Sequence, residues 1–224
     1  MNSLLERVPA LALIAMFSYS LPVIGLLAIR KREKAYNWLL LCFLNSFLTD
    51  VLALTLMYFW MNANYAANQY NLVSSIFLFT FFYQAIPGKN SKWAFAIPAI
   101  IIFLFVGFTF FRHGLDGHTS YTMALQSIAI ITYSVIYYYR TMKSLPTERM
   151  SVNPMFWIIS GFFLSYAGKF FVYAISRYLL DWYNDNLKIL WDVHNYLSVL
   201  GNLMILAGVC ICLSKKKNTA PISS

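Results

Sequence analysis

The sequence predicts an all-α fold: a bundle of seven membrane-spanning helices with the N-terminus outside and the C-terminus cytoplasmic. Three observations carry that expectation. The chain is 60% hydrophobic and 18% aromatic with only 11% charged residues, far too apolar for a soluble domain of 224 residues. Seven apolar stretches, at about 8–29, 36–59, 66–86, 93–111, 119–140, 155–179 and 187–213, are each long enough to cross a bilayer whose hydrocarbon core is about 30 Å thick. Finally, 12 of the 17 Lys and Arg residues fall in connections on one side of those stretches.

The first stretch is too long for the apolar region of a cleaved signal peptide, and its basic cluster, Arg30, Lys31, Arg32 and Lys34, follows it instead of preceding it. It is therefore expected to remain as a span and to place the N-terminus outside. Lys89 and Lys92 after the third span, Arg140, Lys143 and Arg149 after the fifth, and Lys215 to Lys217 after the seventh all return to the side of that first cluster. Arg7, Arg112, Arg177 and Lys188 lie opposite, and Lys169 lies within a span. The longest connection, MKSLPTERMSVNP between the fifth and sixth spans, is broken by Pro146, and Pro154 opens the next helix.

Residues 1–213 thus read as a single transmembrane domain and 214–224 as a basic, polar cytoplasmic tail. The net charge of +9 is accounted for as topology. The expected partner is the lipid bilayer, whose anionic head groups favour basic loops, and no nucleic acid is expected. Cys42, Cys210 and Cys212 imply no disulfide framework, and Cys210 and Cys212 read as small apolar helix residues. Gly161, Gly168, Gly201 and Gly208 are expected to allow close helix contacts, and YSVIYYY (Tyr133 to Tyr139) to form an aromatic belt at the cytoplasmic interface.

Polar residues within the spans carry the functional signal. A lysine near the bilayer centre costs about 2.5–3.5 kcal/mol on insertion scales, which makes Lys169 a site hypothesis. Counted at about 1.5 Å per residue from the outer ends, Asp50, Ser75, Gln126, Lys169, Asp192, His194 and Asn195 all fall about 8–15 Å deep. Ser165, Tyr166, Lys169, Tyr173 and Ser176 recur at three- and four-residue steps and share one stripe of the sixth span. The expected outward-facing ligand pocket is built from Lys169, Asp50, Asp192, His194, Asn195, Gln126, Tyr166 and Tyr173. Asp50 is the expected counter-ion of Lys169, with Asp192 second.

No catalytic residue, cofactor or resident metal is expected. His113 and His118 with His194 or Asp192 would make only an external zinc site. Trp191, His194 and Asn195 form a W-x-x-H-N cluster that resembles small uncharacterised bacterial seven-helix proteins. The resemblance implies a multi-pass protein of the bacterial cytoplasmic membrane and no particular activity. The layout is also similar to the three-plus-one-plus-three arrangement of SWEET-type sugar transporters, with Asp50 and Lys169 in corresponding spans.

A receptor-like sensor that binds a small polar ligand and signals to a membrane or cytoplasmic partner is the first functional expectation. A carrier of a small polar solute or of protons is the second. An intramembrane lipid hydrolase is the third, although one intramembrane histidine cannot build the usual zinc set. A retinal protein is disfavoured because microbial rhodopsins carry their Schiff-base lysine on the seventh helix, whereas Lys169 is on the sixth.

Overall fold

The computed structural model describes residues 10–29, 32–59, 64–88, 92–113, 120–144, 150–182 and 187–218. Every regular element among them is helical, as expected: α1 (Ala10–Ser18), α2 (Ser20–Ala28), α3 (Lys34–Tyr58), α4 (Asn64–Ala85), α5 (Lys92–His113), α6 (Ser120–Ser144), a 3₁₀ turn (Met150–Val152), α7 (Pro154–Trp182) and α8 (Leu187–Asn218). Three segments are long and apolar enough to cross a membrane, Lys34–Leu56, Pro154–Tyr173 and Asp192–Lys215, and Leu13–Ala28 and Lys92–Phe108 are shorter apolar helical segments. Large apolar side chains such as Phe17, Ile24, Leu48, Ile76, Phe103, Phe108 and Phe171 point outward and stay uncovered. A surface of this kind suits hydrocarbon rather than water. The last helix continues to Asn218, past the expected end at 213.

The helices close into a ring. The α1–α2 unit packs on α8 and α3, α3 on α4, α4 on α6, α6 on α7, and α7 most extensively on α8, while α5 sits at the periphery against α4 and α6. The α7–α8 contact is close because glycine faces glycine. A Cβ on Gly161 would stand 2.5 Å from the Gly201 carbonyl oxygen, and one on Gly208 2.6 Å from that of Pro154. These positions let two backbones touch, the arrangement that small residues permit between apolar helices.

Proline shapes two of the helical segments. Pro22 has no N–H to give the carbonyl of Ser18, four residues earlier, and the hydrogen-bond ladder is interrupted between α1 and α2, while Tyr19 keeps helical dihedrals (φ −66°, ψ −28°). Ser18 and Ser20 flank the interruption and donate back to the carbonyls of Ala15 and Phe17, both at 2.6 Å. Inside α5, Pro98 deprives the Ala94 carbonyl of its helical donor in the same way. The Tyr133 hydroxyl of α6 supplies the missing bond at 2.9 Å.

That bond corrects the reading of YSVIYYY as an interfacial belt. Tyr133 and Tyr137 are buried, and the Tyr138 hydroxyl meets the Ser160 hydroxyl at 2.9 Å; Tyr139 alone of the four is well exposed. The run occupies a helix enclosed by α5 and α7, so most of its rings point at neighbouring helices.

Candidate functional site

Lys169 lies on the inner face of α7, where α7, α8, α3, α4 and the α1–α2 unit meet. It opens onto a small cavity with Tyr19 from the α1–α2 junction, Cys42, Phe43 and Ser46 of α3, and Tyr70 of α4. Phe162, Ser165 and Tyr166 of α7 and Ser198, Asn202 and Ile205 of α8 complete the wall. The cavity measures about 20 Å³, room for about one water molecule.

Each wall position follows from local helix chemistry. Ser165, Tyr166 and Lys169 share the α7 stripe, and Ser198, Asn202 and Ile205 recur on one face of α8. The serines mostly hold to helix backbone: Ser46 donates to the Cys42 carbonyl at 3.0 Å, Ser198 to that of His194 at 2.9 Å, and Ser165 crosses to that of Leu197 at 3.4 Å. Asn202 donates to the Ser18 hydroxyl at 2.7 Å and ties α8 to the α1–α2 unit. Serines that spend their hydrogens in this way leave oxygen lone pairs toward the cavity.

The charge is concentrated on one group. The Lys169 ammonium lies over the Tyr166 ring, 4.8 Å from its centroid, and makes no ion pair with a carboxylate among the described residues. Asp50 is close enough to interact with it electrostatically, as are Cys42 and His194. The expected contact pair between Lys169 and Asp50 is therefore replaced by a longer-range attraction. The cation meets a π face and polar oxygens, and its N–H donors remain available.

The other expected site residues divide into three groups. Tyr173 is one turn further along α7 and packs edge-on against the His194 ring at 5.7 Å between centroids; neither lines the cavity. Asp192 belongs to a separate shallow hollow with Leu11, Val193, Tyr196 and Leu197, and Asn195 is partly buried away from both. Gln126 is 2% exposed and belongs to the α4–α6 contact, where its amide donates to Ser74 and Ser75 at 2.9 and 3.1 Å. Beside it Asn71 donates to Thr122 at 3.0 Å. A further chain runs from Thr49 to Gln69 and from Gln69 to Asn45, at 3.1 and 3.2 Å, between α3 and α4. The similar depth expected from residue counting did not place these groups on the same side of their helices.

The side chains of His113, Ser176 and Trp191, and residue His118, lie outside the described residues. Among the described residues no cluster of three or more His, Cys, Asp or Glu side chains is placed to hold a metal ion. The Ser198 hydroxyl is spent on a backbone carbonyl instead of the His194 ring, so that pair is not arranged as nucleophile and base. Of the twelve wall residues, only Lys169 and Tyr166 were expected in the pocket; Tyr19, Ser46, Tyr70 and Asn202 are among the polar ones that the sequence reading left out. Pro22, four residues after Ser18, was the available signal for the interrupted hydrogen-bond ladder next to Tyr19. No family model, curated protein or solved structure matches the chain.

Proposed function

We propose that the chain is a seven-span membrane protein, N-terminus outside and C-terminus cytoplasmic, that acts as a receptor-like sensor for a small anionic ligand held at Lys169. The observation that carries this reading is the Lys169 ammonium: it opens onto a hydroxyl-lined cavity between five spans with no ion pair among the described residues. Keeping a lysine in this position without a contact counter-ion is costly, and a bound anion would offset that cost. The distribution of basic residues supports the orientation.

The cavity of about 20 Å³ corresponds to a closed state. A ligand larger than water must part the helices around it. The stretch around Tyr19, where Pro22 removes a backbone hydrogen bond and Ser18 is tied to α8 through Asn202, is the natural place for that movement. Movement of α8 against α1–α2 would carry the binding event toward the cytoplasmic end and a signalling partner there.

Binding is tested by melting the detergent-purified protein with acetate, phosphate and chloride as probes. Ligand at about 100 times its Kd should add about 2.7 kcal/mol of stability, and Lys169→Met should abolish the gain. Stabilisation that persists in Lys169→Met, or its absence with every anion, counts against the reading.

A second reading, a carrier, is favoured by one observation: Pro22 removes a backbone hydrogen bond from the first helical segment next to Tyr19, which lines the cavity, and irregular helices line many transporter sites. Counterflow of the stabilising anion into proteoliposomes separates the two. Saturable accumulation supports a carrier, and binding without flux supports a sensor.

A further inference from the structure

On the far side of the bundle from Lys169, α4 and α5 part to leave a groove of about 300 Å³, lined by Ile76, Phe79, Thr80 and Tyr83 from one helix and Lys92, Phe95, Ala96 and Ala99 from the other. Both sets follow the same spacing of zero, three, four and seven, so each is a single helical stripe, and the two stripes face one another over about 10 Å of helix rise. That is about two thirds of one leaflet's hydrocarbon depth. The room comes from Ala96 and Ala99, whose short side chains stand where larger ones would close the gap. Aromatic rings make the floor rigid: Phe95 stacks on Tyr133 at 4.7 Å and meets Tyr83 edge-on at 5.5 Å, while Phe79 meets Tyr133 at 5.5 Å.

The groove is apolar along its length and basic at one end. Thr80 has its hydroxyl satisfied by the Ile76 carbonyl at 2.7 Å and so asks nothing of an occupant. Lys92, the first residue of α5, is exposed and makes no ion pair among the described residues. Beside this end the Arg140 guanidinium donates to the Pro87 carbonyl at 3.2 Å, adding positive charge to the same rim. An occupant that matches both features carries a hydrocarbon chain below a negatively charged head.

We infer that the α4–α5 groove binds one acyl chain of an anionic phospholipid, with the head-group phosphate at Lys92. The apolar stripe alone would take any lipid tail; Lys92 selects for the anionic head, as basic residues between helices do at the head-group level of a membrane. A volume of about 300 Å³ takes a narrow chain, whereas a helix of a partner protein, about 10–12 Å across with its side chains, needs more room. This site is separate from the Lys169 cavity and does not depend on what binds there.

The test is lipid retention by native mass spectrometry on the full chain in mild detergent, with phosphatidylglycerol and phosphatidylcholine offered in equal amounts. The natural protein should retain phosphatidylglycerol about fivefold better, and Lys92→Ala should remove that preference. Ala96→Phe should reduce retention of both lipids by filling the groove. Lys143→Ala, an exposed basic residue outside the groove near the same end, should leave retention unchanged. Equal retention of the two lipids by the natural chain overturns the inference. So does an effect of Lys143→Ala as large as that of Lys92→Ala, which would mean diffuse charge. Displacement of phosphatidylglycerol by inorganic phosphate would reduce the site to an ion contact and overturn the acyl-chain part. A circular dichroism melt on each variant separates loss of the site from loss of the fold.

Discussion

The Lys169 ammonium sits over the ring of Tyr166, three residues earlier on α7, at 4.8 Å from its centroid. This cation–π contact is worth about 0.5–2 kcal/mol. A contact ion pair that loses one partner costs more, about 3–5 kcal/mol, because the other charge is left buried alone. Lys169→Met should therefore lower stability by no more than the smaller figure. Its coupling with Asp50→Asn should be small, as expected for groups that attract without contact. Detergent melts of the two single variants and the double variant measure this. A collapse of Lys169→Met that Asp50→Asn rescues would mean the two side chains pair directly.

Tyr133→Phe should cost about 1–3 kcal/mol, because the Ala94 carbonyl would lose the donor that replaces the one Pro98 cannot give. In a Pro98→Ala background the helix can supply its own N–H, so the same substitution should cost much less. A double-mutant cycle reads the difference directly. Equal costs in both backgrounds would show that the hydroxyl bond does not compensate the proline.

How much of this was visible in the sequence varies by feature. The α7 stripe of Ser165, Tyr166 and Lys169 was legible because three- and four-residue spacing fixes a face regardless of neighbours. Gln126 was read on the wrong side: counting residues gives a position along a helix, whereas the direction of a helix face follows from which helix packs on it. Tyr70 was hidden among 16 tyrosines, most of them with structural partners, and no local signal separates it from the rest. The Asp50–Lys169 pairing failed as a contact because matching positions counted along α3 and α7 do not bring two side chains together. The close glycine seam between α7 and α8 was anticipated, since small residues seven apart on each helix can only serve close packing.

Gly201→Val should destabilise strongly, since even a Cβ at that position meets Ser165 and stands 2.7 Å from the Gly161 carbonyl oxygen. Gly107→Ala has nothing within reach of its added methyl and should be neutral or stabilising by up to about 1 kcal/mol from helix propensity. Melting temperatures of the two variants, side by side, check the contrast. Comparable losses in both would mean that α7 and α8 are not in backbone contact.

Gln126→Leu should lower stability, because the buried Ser74 and Ser75 hydroxyls lose their amide partner, yet leave anion-dependent stabilisation intact. Loss of the anion effect in this variant would return Gln126 to the ligand site and move the pocket toward α6.

The orientation has its own test. A maleimide label at a cysteine introduced in the tail, with Cys42, Cys210 and Cys212 replaced by alanine, should be blocked from outside in sealed cells and reach the tail after lysis. Labelling in intact cells would reverse the topology and turn the cavity toward the cytoplasm.

The most direct measurement is a high-resolution density map of the natively purified protein, examined at the Lys169 ammonium and compared with a map of Lys169→Met. The account predicts a feature larger than water, touching the ammonium and the Tyr19 and Tyr70 side chains, and absent from the variant. A dry, closed cavity with the Asp50 carboxylate drawn onto Lys169 would contradict it.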